Sequence, residues 1–252
     1  MNISGKKFWT WRVSFSAILI TASILTFTLH YVIFRDMRHI LIYLIGDIAF
    51  MFVNVLVVTL VIEQILARRE KRVLLKKLNM VIGTFFSDVG LELLRRFSEY
   101  VENGEQLSRQ LDFDGHWQKK DFLRAEETAR AFSYKVQVSP ARIRELRGLL
   151  CGHRSFLLRL LENPNLLEHD RFTNLLWAVF HLVEELEMRE ESFENLPESD
   201  YIHLAGDVKR AYSQIAGEWL AYALHLKESY PFLFSLAARI NPFSSNPSPV
   251  VR

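Results

Sequence analysis

The chain has 252 residues, of which 50% are hydrophobic and 24% charged, and its formal net charge is +2. A charge this close to neutral gives no indication of nucleic-acid binding. The sequence also lacks a glycine-rich phosphate loop, a cysteine pair for zinc, an H-E-x-x-H motif and a G-x-S-x-G motif, so no common catalytic signature is present. Its single cysteine, Cys151, excludes an intramolecular disulfide, and the apolar helical surroundings predict an inert thiol.

Two long apolar segments open the sequence. The first runs from Val13 to Phe34 without a charged residue, and about 22 residues suffice to cross a hydrocarbon core of about 30 Å. It exceeds the limit of about 15 residues for the apolar part of a signal peptide, and it ends in bulky residues. The second runs from Ile40 to Ile62 with one charge, Asp47. We predict an N-terminal two-helix transmembrane hairpin over residues 1–66.

Basic residues predict the orientation of this hairpin. Lysine and arginine are frequent before and after it and sparse in the turn at residues 35–39, which is too short for a pore loop with its own filter. Both termini should therefore be cytoplasmic, in a multi-pass protein of the cytoplasmic (inner) membrane. Basic residues just after the hairpin predict contact with anionic lipid headgroups, although a solvated helix face remains the alternative. These residues are Arg68, Arg69, Lys71, Arg72, Lys76 and Lys77.

Two polar residues within the second apolar segment also stand out. Asp47 and Asn54 are about two helical turns apart and share one face of the helix. A carboxylate inside a bilayer is costly unless it is paired or functional. We expect hydrogen bonds to the first helix or to a second copy of the hairpin, which would form a homo-oligomer. Conduction of ions or protons along this face is the alternative.

After the hairpin the pattern predicts an all-α soluble part. Apolar residues at spacings of three and four continue from Leu74 to Phe97, and helical segments follow at about 117–134, 140–162, 170–189 and 198–230. Short connections predict an antiparallel cytoplasmic helical bundle. The apolar segment 231–236 is expected to cover this bundle rather than enter the membrane interface. The predicted divisions are a basic juxtamembrane stalk at 67–103, a linker at 104–116, the bundle at 117–240 and a disordered tail at 241–252.

Histidines and carboxylates form stripes on the last two long helices. This arrangement is how metal sites in helical bundles are built, but the Glu-x-x-His order of di-iron proteins is reversed here. The stripe on the last helix also extends over about 33 Å, so one ion could contact only part of it. A solvated, salt-bridged flank is the alternative interpretation. The candidate metal ligands are His181, Glu184, His203, Asp207 and Glu218.

Three segments, at residues 79–87, 160–169 and 230–236, resemble stretches of uncharacterised prokaryotic two-helix membrane proteins. The resemblance implies a bacterial or archaeal cytoplasmic membrane and brings no activity, cofactor or catalytic residue with it.

From these observations we expect a membrane-anchored cytoplasmic interaction or sensing module without catalytic activity. No cofactor and no catalytic residue is expected. The expected partners are the lipid bilayer, a second copy of the chain and an unspecified cytoplasmic protein. Nucleic acid is not expected, because the helix around Trp177 ends in a run of glutamates that repels phosphate. Two alternatives remain open: a metal-binding helical-bundle enzyme, and a small oligomeric channel.

Overall fold

A computed structural model describes residues 3–164, 166, 169–189 and 193–251, and it describes their side chains outside residues 3–12 and 72. A single π-helical turn, Phe86–Gly90, lies between the second and third α-helices. Across the described residues the α-helices are, in chain order, α1 Ile3–Phe34, α2 Met37–Phe85, α3 Leu91–Glu99, α4 Gly104–Leu111, α5 Lys119–Ala131, α6 Pro140–Gly152, α7 Arg154–Leu161, α8 Asp170–Met188, α9 Glu198–Ser229 and α10 Pro231–Arg239.

The chain divides into two units, and the first comprises Met1–Glu70. It contains α1 and the first part of α2. These two helices are long and apolar enough to cross a membrane, and none of the residues in their most apolar windows is buried. The turn between them contains a left-handed residue and a side-chain cap, which are typical of a sharp reversal of the chain. Arg35 adopts the left-handed conformation with φ of 50°, and the Asp36 carboxylate accepts the His39 backbone N–H at 3.1 Å at the start of α2.

The second unit comprises Lys71–Arg252 and is an α-helical domain. Its longest helix, α9, packs against α3, α5, α8 and α10, so its side chains supply much of the core. Trp219, Tyr212 and Ile215 are almost completely buried there. The all-α prediction is therefore confirmed. Among the described residues, strand-like pairing is limited to one isolated antiparallel bridge between Val101 and Val136.

The predicted helical segments of the bundle agree with α5, with α6 and α7, with α8 and with α9. The segment at 140–162 is interrupted once, at His153, which separates α6 from α7. Ser139 precedes Pro140 at the start of α6 as expected, although its side chain makes no capping hydrogen bond. In α10, Phe234 is buried, whereas Phe232, Leu233 and Leu236 are exposed, so only part of this apolar segment covers the bundle.

The structure corrects the predicted stalk at 67–103. Leu78, Phe85, Val89, Leu93 and Phe97 are each no more than 1% exposed and belong to the core of the helical domain. Their spacing was correctly assigned to a helix, but the apolar face packs against other helices rather than along an independent stalk. Gly83 shows how close this packing is, because a Cβ atom there would lie 2.5 Å from the Tyr222 hydroxyl on α9.

The predicted linker at 104–116 and the predicted disordered tail at 241–252 also need correction. The linker contains α4, and Leu107 and Phe113 are buried. In the tail, Asn241 and Phe243 are buried. The Trp219 indole N–H donates to Asn241 Oδ1 at 3.1 Å, and Asn241 Nδ2 donates to the Leu111 carbonyl at 3.1 Å. The Asn241 side chain therefore connects the tail to α9 and to the end of α4, which the Ser- and Pro-rich composition of the tail did not indicate.

Candidate functional site: a histidine and carboxylate cluster between α8 and α9

Helices α8 and α9 bring two histidines and two carboxylates together. His181 and Glu185 are one helical turn apart on α8, and His203 and Asp207 are one turn apart on α9. Apolar residues on the adjacent faces of both helices, including Leu182 and Leu204, are buried and hold the helices together. One potential ligand atom from each of the four polar residues lies within 4.8 Å of all the others. We call this group the four-residue cluster.

The distances within the cluster are short and similar. The imidazole Nε2 atom of His203 lies 3.3 Å from Asp207 Oδ2 and 3.5 Å from Glu185 Oε2. The Nε2 atom of His181 lies 3.6 Å from Asp207 Oδ2 and 3.7 Å from Glu185 Oε1. Each imidazole thus approaches both carboxylates, one on its own helix and one on the neighbouring helix.

Asp207 differs from its neighbours in burial. Its side chain is 2% exposed, whereas those of His181 and His203 are 42% and 50% exposed. The Oδ1 atom accepts a hydrogen bond from Arg210 at 2.9 Å. The Oδ2 atom is buried and has no hydrogen-bond partner, although His203 Nε2 lies 3.3 Å from it. This oxygen faces the centre of the cluster.

An arginine outside the cluster orients the Glu185 carboxylate. Arg189, at the end of α8, donates to Glu185 Oε2 at 2.5 Å and to both oxygens of Asp200 at 2.8 and 2.6 Å. These hydrogen bonds hold the pKa values of the Glu185 and Asp200 carboxyls below their ordinary range. Both groups are therefore ionised at neutral pH.

The structure thus unites three of the five predicted metal ligands, His181, His203 and Asp207. Glu184 is half-buried but does not belong to the cluster, and Glu185 takes its place. Both glutamates lie on the same side of α8, at three and four positions from His181, so the sequence alone did not distinguish them. The spacing of four, which is also that of His203 and Asp207, was the available signal.

Glu218, the fifth predicted ligand, lies elsewhere along α9 in a separate buried ion-pair network. Arg130 of α5 donates to Glu218 Oε1 at 3.0 Å, to Gln214 Oε1 at 2.9 Å and to Glu126 Oε1 at 3.2 Å. Burial raises the pKa of Glu218, and electrostatic interactions with His169 and Arg130 oppose this shift. The polar stripe on α9 therefore serves two distinct clusters, and Glu218 is not a ligand candidate with the others.

The remaining predicted contact residues lie on the surface. Asp47 and Asn54 are exposed on α2, and Thr21 of α1 donates to its own helix, to the Ala17 carbonyl at 2.8 Å. Their pairing with α1 or with a second copy stays a prediction. Of the basic residues after the hairpin, Arg68, Arg69, Lys71, Lys76 and Lys77 are exposed, whereas the side chain of Arg72 lies outside the described residues.

The fold and the site define an all-helical protein in which two long apolar helices precede a helical domain that carries a histidine and carboxylate cluster. Two family models match: the N-terminal helical domain of MJ1433 over residues 6–66, and the C-terminal helical domain of uncharacterized protein MJ1433 over residues 74–239. The chain belongs to the MJ1433 family. It is 42% identical over 227 residues to uncharacterized protein MJ1433 of Methanocaldococcus jannaschii, covering 90% of this chain and 91% of that relative. No solved structure matches the chain.

Proposed function

We propose that this protein is a membrane-anchored module whose helical domain acts in the cytoplasm by interaction or sensing rather than by catalysis. One observation carries the proposal: apolar side chains are exposed all around residues 13–34 of α1 and the apolar part of α2. Ile18, Leu25, Ile45 and Phe52, for example, are between 64% and 69% exposed. An apolar surface of this extent is not stable in water, and a hydrocarbon core is the solvent that suits it.

The charge distribution supports the orientation. Lysine and arginine flank the hairpin on both outer sides, and the exposed residues from Arg68 to Lys77 lie where anionic headgroups would attract them. The helical domain begins within this basic segment, at Lys71, and the proposal therefore assigns it to the cytoplasmic side. Association through Asp47 and Asn54 would set the oligomeric state, because polar groups facing lipid gain most from pairing with one another.

Single-cysteine labelling of the full chain tests the anchor and its orientation. The background variant is Cys151→Ser, since Cys151 is the only cysteine and is partly buried. Into this background Asp36→Cys places a thiol in the turn, and Ser245→Cys places a thiol at an exposed position near the C-terminus. A membrane-impermeant maleimide applied to intact cells should label the turn variant alone, and permeabilised cells should allow labelling of both.

Two results would overturn the proposal. Recovery of the full chain in the soluble fraction after lysis would show that the apolar helices are not in a bilayer. Labelling of the Ser245→Cys variant but not the Asp36→Cys variant in intact cells would show the opposite orientation.

A further inference from the structure

We propose that His181, Glu185, His203 and Asp207 form a binding site for one Zn²⁺ ion that joins α8 to α9. This inference concerns the helical domain and does not depend on the membrane anchor. Two imidazole nitrogens and two carboxylate oxygens from two rigid, packed helices make up the site. Side chains on helices are held more precisely than side chains on loops, which favours selective coordination.

The distances agree with a tetrahedral ion. Zinc binds nitrogen and oxygen ligands at about 2.1 Å, so neighbouring ligand atoms in a tetrahedral site lie about 3.4 Å apart. The four histidine-to-carboxylate distances are 3.3, 3.5, 3.6 and 3.7 Å. An octahedral ion with the same bond length would bring neighbouring ligands to about 3.0 Å. These four distances are closer to tetrahedral than to octahedral spacing. The two Glu185 distances involve different oxygens, so the carboxylate would rotate to present one of them to the ion. One potential ligand atom from each of the four residues already lies within 4.8 Å of the others.

The buried oxygen of Asp207 is an independent observation that points to a cation. Its carboxylate is 2% exposed, and Oδ2 has no hydrogen-bond donor. A buried carboxylate oxygen without a donor is unfavourable, and a cation at the centre of the cluster would satisfy it. Ligand atoms around an ion point at the ion rather than at one another, which explains why His203 lies 3.3 Å from Oδ2 without donating to it.

The chemistry of the ligands selects the ion. Calcium and magnesium prefer six or more oxygen ligands or retained waters, and imidazole does not suit them. Imidazole nitrogens combined with carboxylates and tetrahedral spacing favour zinc among the divalent ions. Four protein ligands also complete a tetrahedral shell, which is typical of structural and regulatory zinc rather than of catalytic zinc with an open position.

The surroundings of the cluster orient its carboxylate ligands and leave the ion accessible from solvent. Arg189 fixes the Glu185 carboxylate at 2.5 Å, and Arg210 fixes Asp207 Oδ1 at 2.9 Å, which leaves Oδ2 for the ion. Such outer contacts orient ligands in known metal sites. The two imidazoles are 42% and 50% exposed, so an ion can enter from solvent. Occupancy would then follow the zinc concentration and make the domain a zinc-responsive one.

The competing explanation is a cluster of ion pairs in which both imidazoles are protonated. Protons and zinc would occupy the same nitrogen lone pairs of the imidazoles. A direct measurement of zinc binding therefore distinguishes the two explanations. An ion-pair cluster binds no zinc at micromolar concentration, whereas the proposed site binds one ion per chain.

The test is a zinc titration of the full chain, purified in detergent, treated with chelator and followed by calorimetry. One Zn²⁺ per chain should bind. Two matched pairs of variants locate the site: Glu185→Gln against Glu184→Gln on α8, and His203→Ala against His225→Ala on α9. The first member of each pair should weaken zinc binding by at least about 100-fold, and the second should leave it unchanged.

Asp207→Asn, which keeps the size of the side chain, should have the same effect as loss of Glu185. Circular dichroism checks that each variant retains its helices. Because Glu185 and His203 are partly exposed, these variants decide the question even if Asp207→Asn unfolds. The absence of zinc binding by the wild-type chain, or equal affinities within either matched pair, would overturn the proposal.

Discussion

Replacing Gly217 by alanine should destabilise the helical domain, because the added methyl group would displace Arg130 from its ion pair with Glu218. A Cβ atom at Gly217 on α9 would lie 2.9 Å from both Cζ and Nε of Arg130. The guanidinium would have to move, and it is the group that donates to Glu218 at 3.0 Å and to Gln214 at 2.9 Å. Glu218 has a side chain that is only 2% exposed, so its carboxylate would lose its partner without gaining water.

The magnitude follows from two opposing effects. Removing one partner of a buried ion pair costs about 3–5 kcal/mol. Alanine in place of glycine inside a helix returns about 1 kcal/mol. We therefore expect a net loss of about 2–4 kcal/mol, which corresponds to a decrease in Tm of roughly 4–16 °C for a domain of this size.

Gly206→Ala is the matched control on the same helix, because a Cβ atom there meets nothing within 4 Å. It should raise the stability by up to about 1 kcal/mol. Thermal unfolding of the full chain in detergent, followed by tryptophan fluorescence, compares the two variants. A Gly217→Ala protein as stable as the Gly206→Ala protein would refute the reasoning, since it would show that Arg130 can move without losing Glu218.

Three further predictions concern the cluster and the hairpin. Arg189→Gln should destabilise the protein at neutral pH, and the deficit should shrink as the pH falls below about 4.5. The reason is that Arg189 lowers the pKa of Glu185 and Asp200 from ordinary values of 4.5 and 3.8. Urea unfolding at both pH values measures this, and a deficit undiminished in acid would contradict it. Zinc affinity in the titration should fall as the pH is lowered, because protons compete with zinc for its ligand atoms. An affinity that does not change with pH would contradict this prediction. Asp47→Leu should reduce the oligomer size in native mass spectra of the protein released from nanodiscs, and an unchanged size would show that Asp47 makes no contact between copies.

Local patterns in the sequence predicted the helices but not the limits of the core. Spacings of three and four identified the face of Leu78, Phe85 and Phe97, yet periodicity does not reveal which helix covers a face. Core and stalk faces have the same pattern, so a segment of the domain was assigned to a stalk. The buried Asn241 was missed for a related reason, because its hydrogen bonds to Trp219 and the Leu111 carbonyl depend on contacts between distant parts of the chain.

The candidate site was predictable to the level of helix faces. His203 and Asp207 share a face because they are one turn apart, and His181 lies on the flank of the preceding helix. The choice of Glu185 over Glu184, and the separation of Glu218 from the others, depend on the packing of α8 against α9 and of α5 against α9. The spacing of four from His181 to Glu185 was a signal within one helix, but spacing along one helix does not show how two helices pack.

X-ray absorption at the zinc edge of the zinc-loaded full chain tests the central claim most directly. The account predicts four nitrogen or oxygen ligands at about 2.0–2.1 Å, with the outer-shell scattering of two imidazoles and without sulfur. Replacing His203 by alanine should remove one imidazole from this signal. A shell of six oxygen atoms without imidazole scattering would contradict the claim, because it would show that zinc is bound outside the four-residue cluster.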